Sequence, residues 1–151
     1  MITLHGESDL PLGEEEVLKF LTDSRRFPQC LPNLEELVQD DIGRFFAKFR
    51  VEIPEDIGVS YMKNIGIRMG FHIKSERSMV DIYGEGRSVG VKMKVDLRVQ
   101  VQDSEAGSHM EWDAALDASL LERLLGKERF EGIARDIAGK IIACLTEKMK
   151  A

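Results

Sequence analysis

The sequence predicts an α+β fold: a curved antiparallel sheet of about six or seven strands wrapped around one long C-terminal helix, with two short helices after the first strand. Two periods and one absence carry this reading. Apolar and polar residues alternate through most of residues 44–116, the rhythm of strands with one face in a core and one in water. After Ser119 the period becomes 3.6 and holds to Met149. The 151 residues contain no internal repeat, low-complexity stretch or linker, so one domain spanning residues 1–151 is expected. That length encloses a core without help from metals or disulfides.

The elements follow in order. Ile2-Thr3-Leu4-His5 alternates and predicts a strand. Pro11 and Gly13 punctuate the chain, and Glu14, Glu15 and Glu16 suit the positive end of a helix dipole. Val17, Leu18, Phe20 and Leu21 give that helix an apolar face from about Gly13 to Thr22. Asp23 or Ser24 can cap a second turn, which Pro28 and Pro32 keep short. Phe45, Ala47, Phe49, Val51 and Ile53 then alternate with charged residues, Phe46 being the exception on the polar side. Ile65, Ile67, Met69, Phe71 and Ile73 repeat the pattern, and Val80 and Ile82 form a shorter piece. Gly84-Glu85-Gly86 reads as a turn.

The clearest strand has Val89, Val91, Met93, Val95, Leu97, Val99 and Val101 on one parity and Lys92, Lys94, Asp96, Arg98, Gln100 and Gln102 on the other. After a turn at Asp103–Ser108, Met110, Trp112, Ala114 and Leu116 alternate with acids. The helical stripe runs Phe130, Ile133, Ala134, Ile137, Ala138, Ile141, Leu145, Met149, with Cys144 at its edge. It begins near Leu120, with Gly126 as a kink or a new start. Strands followed by a helix on one face define the α+β class. One helix can satisfy so many half-apolar strands only if the sheet curls.

Charge and composition exclude several functions. A net charge of −6 repels phosphate backbones, so no nucleic-acid partner is expected. No apolar run approaches the ~20 residues of a membrane span, and the start lacks a basic n-region, so a cytoplasmic location is expected. Cys30 and Cys144 form no Cys-x-x-Cys pair and read as two buried, reduced thiols, a disulfide being the alternative.

Residues 4–37 carry a more specific signal. Leu4-His5-Gly6-Glu7, Pro11, Glu16-Val17-Leu18-Lys19-Phe20-Leu21-Thr22-Asp23 and Cys30-Leu31-Pro32-Asn33-Leu34-Glu35-Glu36-Leu37 together resemble the CoxG family of carbon monoxide dehydrogenase, and Gly84-Glu85-Gly86-Arg87 resembles its mid-chain turn. The chain departs from the family pattern where Leu18 stands for the usual Trp, where Asn33 replaces Gly, and in a longer segment at Pro54–Asn64. Asn tolerates the left-handed backbone that Gly would supply. The resemblance implies the helix-grip fold of START-related and pollen-allergen-like proteins, with an apolar cavity between sheet and long helix. It also implies a role in maturation or membrane recruitment of a molybdenum-containing carbon monoxide dehydrogenase. A molybdenum hydroxylase, peripheral contact with the inner face of a membrane and a second copy of the chain are the macromolecular partners it leaves open. It supplies no catalytic motif.

The residues themselves point the same way. No Gly-x-Ser-x-Gly, Cys-His spacing or phosphate loop is present, so no catalytic residue and no cofactor are expected. His5, His72 and His109 fall on polar parities and are far apart in sequence, so no metal site is expected either. A cyclase-like activity would need a polar pair among inward positions that are almost all apolar. The ligand-cavity candidates are Phe49, Met69, Phe71, Val91, Met93, Val95, Trp112, Ile133, Ile137 and Ile141, suited to an apolar small molecule or lipid; a filled core uses the same residues. Ile57, Val59, Tyr61 and Met62 could form a lid or an interface, or rest on the sheet as a plain hairpin.

Overall fold

A computed structural model describes residues 1–39, 43–52, 64–88 and 90–150. Seven antiparallel strands form one sheet: β1 (Ile2–Leu10), β2 (Glu36–Gln39), β3 (Arg44–Glu52), β4 (Asn64–Glu76), β5 (Met79–Ser88), β6 (Val91–Ser104) and β7 (Gly107–Asp117). Their order across the sheet is β1-β7-β6-β5-β4-β3-β2, so the chain's first strand pairs with its last. Helix α1 (Glu14–Thr22) and a 3₁₀ turn (Phe27–Cys30) follow β1, and α2 (Ser119–Leu125) and α3 (Lys127–Lys150) follow β7.

The alternation predicted for the strands is what fixes their faces. Ala47, Phe49 and Val51 of β3, Ile65 to Ile73 on odd positions of β4, and Val91, Met93, Val99 and Val101 of β6 are buried, while their neighbours on the other parity are mostly exposed. The stripe of α3 packs into the same apolar cluster through Phe130, Ile133, Ala134, Leu145 and Met149. Asn33 adopts φ 48°, the left-handed conformation its place in the turn requires. Helix α1 lacks a side-chain cap of its own; the Glu14 amide instead donates to Asp103 Oδ1 at 2.8 Å, from the far end of β6.

Four details differ from the sequence reading. First, β1 runs on to Leu10. Second, Gly84-Glu85-Gly86 lies inside β5, and the chain turns instead at Gly90, with φ 77°. The two glycines answer to close packing: a Cβ on Gly84 would meet the Phe71 ring at 2.6 Å, and one on Gly86 the Arg68 carbonyl oxygen at 1.9 Å. Val80 and Ile82 thereby belong to a ten-residue strand.

Third, Gly126, at φ 90°, ends α2, so the C-terminal helical pattern is two helices. Fourth, Cys30 and Cys144 are joined as a disulfide. Helix α3 runs back past the 3₁₀ turn and brings their Cα atoms to 5.6 Å, inside the range a disulfide spans; a sequence separation of 114 conceals that approach.

Candidate functional site

The ten cavity candidates all lie on the apolar side of the sheet or on the stripe of α3, but they divide into two environments. Phe49, Met69, Phe71, Val91, Met93 and Ile133 are buried. Phe71 stacks on Phe45 with ring centroids 4.8 Å apart, and Phe45 meets Phe27 at 6.5 Å, so this end of the core is filled with aromatic rings.

Val95, Trp112, Ile137 and Ile141 are only half-buried. So are Leu97, Ala114, Leu116, Ala138 and Ile142, which the cavity reading did not include. Register places these residues together: Val95 is opposite Leu116, Leu97 opposite Ala114, and Val99 opposite Trp112. Ile137, Ala138, Ile141 and Ile142 supply the middle turns of α3 to the same cluster. Inward-facing apolar side chains along β6, β7 and mid-α3 therefore retain contact with solvent. Trp112 lies over Gly6, where a Cβ would be 2.3 Å from the indole, so glycine there makes room for the ring. Ile57, Val59, Tyr61 and Met62 lie outside the described residues.

The polar side of the sheet gathers a group that the sequence does not disclose. His5 of β1 lies 2.7 Å from Asp113 Oδ1 of β7. His109 Nδ1 lies 2.8 Å from Asp9 Oδ1, and its Nε2 3.3 Å from Glu7 and 3.8 Å from Glu111. Both imidazoles are raised above their ordinary value, His5 first by its hydrogen bond to Asp113 and His109 first by its bond to Asp9 and then to Glu7, with the negative charges around them adding to the effect.

Glu7, His109 and Glu111 offer ligand atoms within 4.8 Å of one another, the set among the described residues that could hold a metal ion. The histidines themselves do not converge, since His72 lies on β4, three strands from β7. Extending β1 to Leu10 would have put Glu7 and Asp9 on the parity of His5, but the β1–β7 register that joins them to His109 has no local signature.

On the same face Asp96 holds its proton above the usual carboxylate range. The leading cause is a hydrogen bond to Asp81, followed by burial and by the charge of Asp81, while Arg98 opposes the shift. Asp81 Oδ1 and Asp96 Oδ1 are shielded from water, and a shared proton satisfies both.

A family model for the CoxG component of carbon monoxide dehydrogenase matches residues 6–150. No curated protein sequence matches the chain. Among solved structures, a conserved protein from Geobacillus kaustophilus superposes with a TM-score of 0.80 at 11% identity, covering 99% of this chain and 95% of that one. Zhui aromatase/cyclase from Streptomyces sp. R1128 gives 0.64 at 10% identity, covering 99% and 93%. Ara h 8.0201 gives 0.63 at 13% identity, covering 98% and 97%. At such identities these likenesses establish the fold: the curved sheet and long C-terminal helix of the helix-grip proteins.

Proposed function

The chain belongs to the CoxG family of carbon monoxide dehydrogenase, and from that premise we propose that it binds an apolar small molecule or a lipid between its sheet and α3 without catalysing a reaction. One observation carries the reading: inward apolar side chains on β6, β7 and mid-α3 remain half-buried, whereas the aromatic end of the same core is sealed. A fully packed core would bury both ends equally. Apolar surface that faces inward yet stays wet gains free energy when an apolar ligand displaces the water, at roughly 25 cal/mol per Å².

The polar content of the interior supports binding over catalysis. Among the described residues the buried polar side chains are Ser88 and Ser108; Ser88 donates to the Gly66 carbonyl oxygen at 3.1 Å, and neither is paired with an acid or a base. A cyclase-like reaction would need such a pair.

Trp112 makes the test simple, because it is the chain's one tryptophan and belongs to the half-buried set. Titration with long-chain fatty acids and with polycyclic aromatics should shift and saturate its emission, and native mass spectrometry of gently purified protein should show a retained mass. An emission spectrum indifferent to every apolar probe, together with an empty protein, would refute the reading.

Family membership favours a second reading, in which the protein assists maturation or membrane recruitment of a molybdenum-containing carbon monoxide dehydrogenase-like enzyme. Co-purification of such an enzyme from the source cells, lost when the chain is deleted, would support it.

A further inference from the structure

Register places Lys48 of β3, Arg68 of β4, Arg87 of β5 and Lys92 of β6 directly opposite one another across four strands. They form one transverse row on the polar face of the sheet, about 14 Å long at the usual strand spacing of ~4.8 Å. Glu35 lies 3.7 Å from Lys48 and balances that end. Arg68, Arg87 and Lys92 are exposed and have no hydrogen bond or ion pair among the described residues. Like charges directly opposite each other weaken a sheet, and the row stands in a chain of net charge −6. An apolar step adjoins it: Val38 and Phe46 face each other across β2 and β3 and are 49% and 37% exposed. Gly70, beside Phe46, leaves open space where a Cβ would stand.

We propose that this face docks an acidic amphipathic segment of a partner protein, its carboxylates on Arg68, Arg87 and Lys92 and an apolar side chain on Phe46 beside Gly70. Guanidinium groups take carboxylates bidentately, and arginine beside an exposed aromatic is the composition of an interface hot spot. The spacing suits a helix laid across the strands. Carboxylates at i, i+3 and i+7 fall about 4.5 and 10.5 Å along its axis, against ~4.8 and ~9.6 Å from Arg68 to Arg87 to Lys92. A membrane surface fits less well. The row is one residue wide and flanked by exposed Glu85 and Glu36, which a flat anionic surface would repel. A free oxyanion would leave the apolar step unused.

This face is opposite the interior, so the proposal stands apart from ligand binding there. The probe is a short helical peptide with Glu at i, i+3 and i+7 and Leu on the adjoining flank, compared with a scrambled peptide of the same composition by fluorescence anisotropy on the full chain. Binding should weaken by about tenfold or more in Arg68→Glu/Arg87→Glu, weaken in Phe46→Ser, and stay unchanged in Lys148→Glu on α3. Circular dichroism and the Trp112 response to apolar probes should not change in the reversal variant. Equal binding of the scrambled peptide, or indifference to the charge reversal, overturns the proposal. So does tighter association with phosphatidylglycerol vesicles, full competition by inorganic phosphate, or a self-association abolished by the same variant, which would make the occupant a second copy.

Discussion

Gly86 is where a single methyl group meets the stiffest resistance. Its Cβ would lie 1.9 Å from the Arg68 carbonyl oxygen and 2.7 Å from the Met69 Cα, and backbone held in a paired strand cannot give way. Gly86→Ala is expected to lower the unfolding free energy by about 1–3 kcal/mol, read from the urea midpoint. Gly6→Ala should cost less, because the group it meets is a side chain, the Trp112 ring. The sequence shows the glycines but not their reason. Two glycines around a glutamate make the same local signal in a turn as beneath Phe71 and Met69, and the residues that decide between them lie on another strand.

Protonation is the other residue-scale effect. His5 and His109 are raised by their carboxylate neighbours. Their contribution is therefore complete below the ordinary histidine pKa near 6.5 and is lost as pH rises through the raised folded values. Thermal midpoints should fall between pH 6 and pH 8, and His5→Gln/His109→Gln should flatten the slope. Asp96 is also raised, so its shared proton stabilises at low pH and is lost as pH rises through the folded value. At neutral pH Asp96→Asn, whose amide can donate to Asp81, should raise the midpoint, by under about 1 kcal/mol.

At the scale of elements, α3 is held to the fold in two ways. Its stripe is buried against the sheet, and the Cys30–Cys144 bond ties it to the 3₁₀ turn. Reduction by a dithiol, or Cys30→Ser/Cys144→Ser, removes the long-loop constraint on the unfolded chain and should cost about 2–4 kcal/mol, measured by urea unfolding with and without reductant. The stripe itself is uneven. Leu145 is 1% exposed, and Leu145→Ala should cost about 2–5 kcal/mol. Ile137 is half-buried, and Ile137→Ala should cost nearer 1 kcal/mol while weakening the Trp112 response to apolar probes. The reverse ranking would show that mid-α3 is ordinary core. The 3.6 period located this helix and its inward stripe because burial imposes that period directly. It could not show where the stripe is sealed and where it is wet, since both conditions use the same aliphatic residues.

For the molecule as a whole, the seven strands and their inward parities were readable because alternation is a local consequence of a two-sided sheet. The two charged features of the polar face were not. The cation row from Lys48 to Lys92 and the carboxylates around His109 exist only in register, a relation between strands. Each residue taken singly is an ordinary solvated charge. Ligand binding is the property of the whole that both faces bear on. If apolar surface leaves water when a ligand enters, the heat capacity of binding should be negative by isothermal titration calorimetry, and a value near zero would place the ligand outside the interior.

The pairing of β1 with β7 has a consequence during synthesis. Ile2 to Leu10 wait for Ser108 to Leu116 before either strand has its neighbour. A ribosome must therefore release about three-quarters of the polypeptide before the first-made segment can be secured, and until then its alternating surface is open to chaperones and to other nascent chains. Long-range closure of this kind makes the overall rate slow. Transplanting Ile2–Leu10 to follow Asp117 through a short linker in a permuted gene should speed refolding without altering the native sheet.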